Sequence, residues 1–177
     1  FVFFFFFILD VNMKNKLFFG KIILLLVLLT GCYSFKGGSV PPHLSTINIM
    51  TVKDNSTSQN PENRLVLTDY LTDEFKDDGS LKVVNNNADA RLETTISSTR
   101  EESAEVGSRE LETRRKVVVI CNVIYYDNVK QKEIFNKDFQ HYGYFEVAQA
   151  AQQRDEAIKE ALKKISEDIV FNVVSDW

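Results

Sequence analysis

RRKVVVICNVIYYD, residues 114–127, is the segment that decides the fold. β-branched and aromatic residues fill most of it, and such residues are enriched in β-strands. Asp127 and Asn128 follow as turn residues, and KEIFNKDFQHYGYF, residues 132–145, has the composition of a strand that returns beside the first. The pattern predicts a hairpin of two long strands.

Three further strands are predicted upstream of this hairpin. ADARLETTISSTRE, residues 88–101, alternates apolar and polar positions and predicts a half-exposed strand. Residues 80–84 predict a short strand, and LSTINIMTVKD, residues 44–54, predicts the first one. ESAEVGSREL, residues 102–111, is polar and contains a glycine, so we expect a loose hairpin loop there.

Two helices complete the pattern. The first begins after Asn60, a good capping residue, with Pro61 at its first position, and it ends at Gly79. The second is predicted from Ala148 to about Val174. Its apolar positions recur at helical spacing, and its small residues Ala157 and Ala161 allow close approach of a neighbouring element.

The order of these elements predicts the fold class. It is strand, helix, strand, strand, strand, strand, helix, and the first two strands are joined by a helix, which predicts a right-handed parallel crossover. The remaining strands form hairpins. We therefore expect an α+β protein, a small α/β roll whose mixed, twisted sheet of four to five strands carries two helices on one face.

The N-terminal region has the pattern of a bacterial lipoprotein signal peptide. Met13 is the first methionine, three lysines follow it, and residues 22–29 form an unbroken apolar run. Leu29-Thr30-Gly31-Cys32 has the form of a lipobox, which predicts cleavage between Gly31 and Cys32 and acylation of the Cys32 thiol. The alternatives are a plain secretory signal with an incidental cysteine, and a longer hydrophobic anchor over residues 1–29.

These signals predict a domain plan for the chain. Residues 1–12 are interpreted as an upstream extension that is not native, 13–31 as the signal peptide, 32–42 as a flexible tether rich in Gly, Ser and Pro, and 43–177 as one folded domain. The formal net charge is −4, and cleavage would remove three lysines and one aspartate, giving −6. An acidic domain is a poor general binder of nucleic acid.

Catalytic and metal-binding patterns are absent from the sequence. It has two histidines and two cysteines, without CxxC or HExxH spacing, and seven glycines without a phosphate-binding loop. Cys121 lies within the main strand and is expected to be a buried core thiol. His43 and His141 are expected at the surface. We predict no enzyme activity, no metal and no cofactor.

One basic cluster and one aromatic cluster are candidate contact sites. Arg114 and Lys116 should share one face of the main strand and Arg115 the other, with Arg109 across the loop. These residues are either phosphate-binding groups or the charged end of a strand that discourages aggregation. The aromatic residues of 125–126 and 142–145 are either interface anchors or core, and core is favoured for about half of them.

The chain as a whole resembles the LptE family of lipopolysaccharide-assembly lipoproteins, in the branch found in Bacteroidota and related bacteria. The resemblance rests on GCYSFKGGSVPPHLSTINI, NPENRLVLTDYLTDEF and ADARLETTI, on the long hairpin that follows, and on a C-terminal helix ending near Trp177. It covers about Cys32 to Trp177. The order of elements carries it as much as any motif.

The resemblance implies a location, partners and a role. Such proteins are anchored in the outer membrane through the acylated cysteine, here Cys32, and face the periplasm. They plug the LptD β-barrel, help it assemble and support lipopolysaccharide insertion at the cell surface. Arg109, Arg114, Arg115 and Lys116 are then predicted to contact lipopolysaccharide. The alternative is a lipid-anchored adaptor of another envelope machine, such as a cell-wall synthase activator or a transport accessory lipoprotein.

Overall fold

The computed structural model describes residues 40–57, 59–106 and 112–175. The predicted lipidation site Cys32, the cleavage position at Gly31 and the basic residue Arg109 lie outside the described residues. Within them the elements are β1 (Thr46–Ile49), β2 (Lys53–Asp54), α1 (Pro61–Asp78), β3 (Lys82–Val83), β4 (Ala90–Val106), β5 (Glu112–Asp127), β6 (Lys132–Glu146), a single 3-10 turn (Val147–Gln149) and α2 (Ala150–Ser175).

The strands form one mixed sheet, which confirms the predicted fold class. Its order is β3-β1-β4-β5-β6, and β2 also pairs with β4. β1 is parallel to β3 and to β4, whereas β4, β5 and β6 pair in antiparallel fashion. The parallel pairing of β1 with β3 across α1 confirms the predicted parallel relation between the first two strands.

The predicted first strand is wrong in one respect, because residues 44–54 contain two short strands. β1 pairs with the start of β4, and β2 pairs further along it at Thr95 and Ile96. Between the two, the backbone N–H of Met50 donates to the carbonyl of Leu92 (2.9 Å). Residues 46–54 therefore run alongside β4, although their strand pairing with β4 is interrupted between β1 and β2.

β4 is longer than its sequence pattern suggested. Residues 102–106, which we predicted as part of a loop, continue the strand and pair with β5 as far as Val106 opposite Glu112. Glu102 faces Lys116, Ser103 faces Arg115 and Glu105 faces Arg114 across the two strands. Opposite charges on facing positions stabilise a sheet, and this pairing explains why a polar segment remains a strand.

The predicted caps of α1 are confirmed. The Asn60 side chain accepts a hydrogen bond from the backbone N–H of Glu62 (3.0 Å), and Pro61 occupies the first turn. Gly79 adopts the left-handed conformation (φ 70°), and its N–H donates to the carbonyl of Phe75 (3.1 Å). These local bonds satisfy backbone groups that a helix end leaves without partners inside the helix.

The core lies between the two helices and one face of the sheet. Leu67, Leu71 and Phe75 of α1 are fully buried, as are Leu162, Ile165 and Ile169 of α2 and the odd-numbered residues of β5 from Val117 to Tyr125. α1 and α2 contact each other, and Lys159 of α2 forms an ion pair with Glu62 of α1 (3.2 Å). Both helices therefore pack on the same face of the sheet, as predicted. The even-numbered residues of β5 lie on the opposite face, which we call the open face.

α2 approaches β6 closely at Gly143. A Cβ atom at this position would lie 2.1 Å from the carbonyl oxygen of Ala157. Ala157 is itself buried and has the small side chain that the sequence pattern associated with close approach. The pair of small residues sets the distance between helix and sheet at this point.

Candidate functional surface

The basic residues at the start of β5 point to both faces of the sheet, as the alternation predicted. Arg114 and Lys116 lie on the open face. Arg115 lies on the helix face, where it contacts Glu101, which in turn contacts Arg154 of α2. The two faces therefore carry separate groups of charges.

On the open face Arg114 and Lys116 each have a carboxylate partner. Lys116 Nζ lies 3.0 Å from Glu102, and the Arg100 guanidinium lies 2.9 Å from the same carboxylate. Arg114 lies 3.5 Å from Glu105 and 3.8 Å from Glu146. The hydrogen bonds from Lys116 and then Arg100 lower the pKa of Glu102, and the bond to Glu102 raises the pKa of Lys116.

On the helix face Glu101 links three elements. Its carboxylate of β4 accepts from Arg154 of α2 (2.6 Å) and from Arg115 of β5 (3.0 Å), and Arg115 also contacts Glu112 (2.7 Å). The hydrogen bond from Arg154 is the main reason that the pKa of Glu101 is lowered. A shallow cleft of about 290 Å³ adjoins this link, lined by Thr57, Thr99, Arg100, Glu101 and Arg154.

The described part of this cluster is electrically balanced. Its five cationic side chains are matched by five carboxylates: Arg100, Arg114, Arg115, Lys116 and Arg154 against Glu101, Glu102, Glu105, Glu112 and Glu146. A phosphate group would share these cations with carboxylates that already contact them. Contact of Arg109, Arg114, Arg115 and Lys116 with lipopolysaccharide therefore stays a prediction.

The aromatic cluster divides between core and surface, as the sequence suggested for about half of it. Tyr125 and Phe145 are buried against the helices. Tyr142 and Tyr144 are each 42% exposed on the open face, and their rings meet edge to face with centroids 5.2 Å apart. Tyr126 lies beneath the Arg91 guanidinium, 3.8 Å from ring centroid to Cζ.

Arg114 and Lys116 lie over the rings of the two exposed tyrosines. Arg114 Cζ lies 4.3 Å from the Tyr144 ring centroid, and Lys116 Nζ lies 5.6 Å from that of Tyr142. A cation within about 6 Å of a ring face is attracted by the ring quadrupole. Tyr and Arg are also the residue types enriched at binding hot spots. The open face thus has a small exposed patch made of two tyrosine rings and the two cationic side chains over them.

Sequence reasoning missed the polar contacts of the two histidines. Both histidines are partly buried and bonded to aspartates rather than free at the surface: His43 Nε2 lies 2.6 Å from Asp127, and His141 Nε2 lies 2.7 Å from Asp168. Asp127 is itself buried. Its position at the end of a buried strand was a usable signal for a partner, but the partner is 84 residues away in sequence.

Hydrogen bonds to the Asp89 side chain connect the start of β1 with the start of β4. Its carboxylate accepts from the backbone N–H groups of Ser45 and Thr46 (3.0 Å each) and from the Thr46 hydroxyl (2.8 Å). The bond from the Ser45 backbone is the main reason that the pKa of Asp89 is lowered from 3.8. The carboxylate is therefore held in its ionised form in the folded protein.

We expect acid to remove the contribution of Asp89 to stability. The pKa of Asp89 is lower in the folded protein than its unfolded value of 3.8, so its ionised carboxylate stabilises the fold fully at pH values above 3.8. This contribution is lost as the pH falls through the lowered pKa of the folded state. In urea titrations the free energy of unfolding of the wild type should decline between about pH 5 and pH 2, and Asp89→Asn should make this decline shallower. Asp69→Asn, at an exposed position of α1, is the matched control. An unchanged acid dependence in Asp89→Asn would contradict the assignment.

Cys121 is fully buried, and burial raises the pKa of its thiol to about 12, which confirms the predicted core thiol. Among residues 40–57, 59–106 and 112–175, no group of three or more His, Cys, Asp or Glu side chains is placed to hold a metal ion. Across the same residues, neither helix combines the length and apolar character needed to cross a bilayer.

A family model described as lipopolysaccharide-assembly, LptE, matches residues 44–173. The match spans both helices and all six strands. The chain belongs to the LptE family. No curated protein matches the sequence significantly. Membership in the LptE family confirms the resemblance noted from sequence, and a lipopolysaccharide-assembly family fits the prediction that the chain is not an enzyme.

Solved structures support the LptE-type fold at low sequence identity. The hypothetical protein CT253 from Chlamydia trachomatis has a TM-score of 0.55 and 8% identity, with 73% of this chain and 95% of that chain covered. An uncharacterized lipoprotein B from Nitrosomonas europaea has a TM-score of 0.54 and 11% identity, with 74% and 83% covered. Protein XCC0632 from Xanthomonas campestris has a TM-score of 0.51 and 13% identity, with 75% and 86% covered.

Proposed function

We propose that this chain is an outer-membrane lipoprotein that plugs an LptD-like β-barrel and helps it assemble, supporting lipopolysaccharide insertion at the cell surface. The observation that carries the proposal is the LptE family match over residues 44–173. In this proposal residues 13–31 are removed, Cys32 is acylated, and residues 32–42 tether a domain that faces the periplasm.

The fold suits a plug because it is one packed unit. A single sheet carries both helices on one face, and its core includes residues from every long element. Such a domain can fill a wide lumen without a large rearrangement. An acyl anchor confines it to the plane of the membrane, which raises its effective concentration near the barrel.

The open face is the surface that we assign to partner contact. It carries the exposed pair Tyr142 and Tyr144 with Arg114 and Lys116 above them. If Arg114 and Lys116 contact lipopolysaccharide on this face, its phosphates share these cations with carboxylates such as Glu102, whereas Arg115 would make its contact on the helix face.

Cys32→Ser is expected to release most of the protein from the outer membrane and to reduce its recovery with a large β-barrel. The serine hydroxyl cannot form the thioether to diacylglycerol, so the anchor is lost; stable anchoring requires two or more acyl chains. The measurement is pull-down from detergent-solubilised outer membrane, together with surface lipopolysaccharide. Ser34→Ala, two residues away, is the matched control.

Two outcomes would contradict this proposal. The first is a well-expressed wild-type protein that recovers no large β-barrel. The second is Cys32→Ser protein that stays in the outer membrane with undiminished surface lipopolysaccharide. Normal lipopolysaccharide combined with altered cell shape or transport on depletion would instead favour an adaptor of another envelope machine.

A further inference from the structure

β6 is a long strand at the edge of the sheet. Among residues 40–57, 59–106 and 112–175 it pairs only with β5, over Lys132–Glu146. A free strand edge presents N–H and C=O groups that can pair with another chain, and proteins usually protect such edges with charges, bulges or short length. The free part of β4, beyond its pairing with β2, is protected in this way by charged residues such as Arg100, Glu101 and Glu102.

The two halves of β6 differ in this protection. The first half carries Lys132, Glu133, Lys137 and Asp138, and a register shift interrupts its pairing with β5 near Tyr126. The second half, Phe139–Phe145, has no lysine, arginine, aspartate or glutamate and pairs with β5 in unbroken register. The second half is therefore a regular, uncharged and aromatic strand edge.

The direction of the backbone groups on this edge follows from one hydrogen bond. The N–H of Glu146 donates to the Gln153 side chain (3.0 Å), so it points away from β5. In an antiparallel strand every second residue points its N–H and C=O to the same side. The backbone groups of Tyr144, Tyr142 and Gln140 therefore also point outward.

We propose that this edge binds the same edge of a second copy of the chain, as an antiparallel pair of β6 strands about a two-fold axis at Gly143. In this register Tyr142 of one copy faces Tyr144 of the other, and Gln140 faces Glu146, whose N–H exchanges the Gln153 side chain for the Gln140 carbonyl of the second copy. The facing residues are even-numbered, so their outward backbone groups can bond each other. The inference does not depend on the proposed role with a barrel.

Side-chain charge disfavours the axis at Tyr142, and aromatic pairing favours the axis at Gly143. An axis at Tyr142 would place Asp138 opposite Glu146, and like charges on facing positions destabilise a sheet. An axis at His141 would place Lys137 opposite Phe145. The axis at Gly143 pairs aromatic rings on the open face twice, and aromatic cross-strand pairs stabilise antiparallel sheets. Because Gly143 has no side chain, no side chain projects from the helix face at this axis.

Site-directed disulfide crosslinking tests the register in native membranes. Full-length Tyr142→Cys and Tyr144→Cys proteins, carrying different tags, are expressed together and treated with a thiol oxidant. Facing residues of a hydrogen-bonded antiparallel pair have Cα atoms about 5.5 Å apart, which is within the range of a disulfide. We expect a dimer containing both tags, and much less dimer when Tyr142→Cys is expressed alone.

Tyr142→Lys adds charge to the edge and is expected to reduce crosslinking of Gln140→Cys to Glu146→Cys by about tenfold. Asn136→Lys, on the same strand and face but in the charged half, is the control and should leave it unchanged. Absence of the mixed dimer, preference for a Tyr142–Tyr142 crosslink, or crosslinking to a different protein would each overturn the proposal. Barrel recovery in the same cells reports separately on the proposed function.

Discussion

Gly143→Ala is expected to lower the free energy of unfolding by about 3 kcal/mol or to prevent folding, although it adds one methyl group. The new Cβ would lie 2.1 Å from the carbonyl oxygen of Ala157, 2.7 Å from its carbonyl carbon and 2.8 Å from its Cα. Ordinary contacts between heavy atoms are about 3.5–4 Å. The methyl group therefore cannot be accommodated where the helix now lies.

The size of this effect follows from the kind of atoms involved. All three close atoms belong to the backbone of α2, so a side-chain rotation cannot relieve the contact. Either α2 moves away from β6 or the strand bends, and both loosen a core that includes Ala161 and Leu162. Overpacking of a core costs about 1–3 kcal/mol and sometimes more, and we expect the upper part of this range.

Urea unfolding followed by circular dichroism measures the effect. Gln140→Ala is the control, because it changes an exposed residue of the same strand to the same alanine. It should leave the free energy of unfolding within about 0.5 kcal/mol of the wild type. A Gly143→Ala protein as stable as this control would show that α2 lies further from the sheet.

Sequence alone was sufficient where the determining contacts are local. Asn60, Pro61 and Gly79 predicted both ends of α1, because a cap involves residues within one helical turn. The β5 pattern predicted a long strand because β-branched and aromatic residues fill it. The side to which Arg114 and Arg115 point followed from alternation along the strand, which is also a local property.

Sequence was insufficient where the determining contact is distant in the chain. Residues 102–106 have the composition of a loop, and they form a strand because basic residues of β5 face their carboxylates. His43 gave no sign of Asp127, 84 residues away. The same limit applies to the basic cluster: its five carboxylate partners come from three strands, so their neutralising effect was not visible in the run Arg114-Arg115-Lys116.

Leu71→Ala is expected to lower the free energy of unfolding by about 2–5 kcal/mol, while Leu65→Ala changes it by less than about 0.5 kcal/mol. Both residues lie on α1, but Leu71 is fully buried and Leu65 is 63% exposed. Loss of a buried leucine removes its transfer free energy and leaves a cavity that the surrounding structure fills only partly.

The comparison of these two substitutions isolates burial from helix propensity. Each replaces leucine by alanine inside the same helix, so the propensity change is shared and cancels in the difference between the two proteins. The remaining difference reports which face of α1 packs against the sheet and α2. Urea unfolding of both proteins under one set of conditions provides the measurement. Equal destabilisation would mean that α1 packs with a different rotation about its axis, and the burial of Leu67 and Phe75 on the same face as Leu71 would then also be wrong.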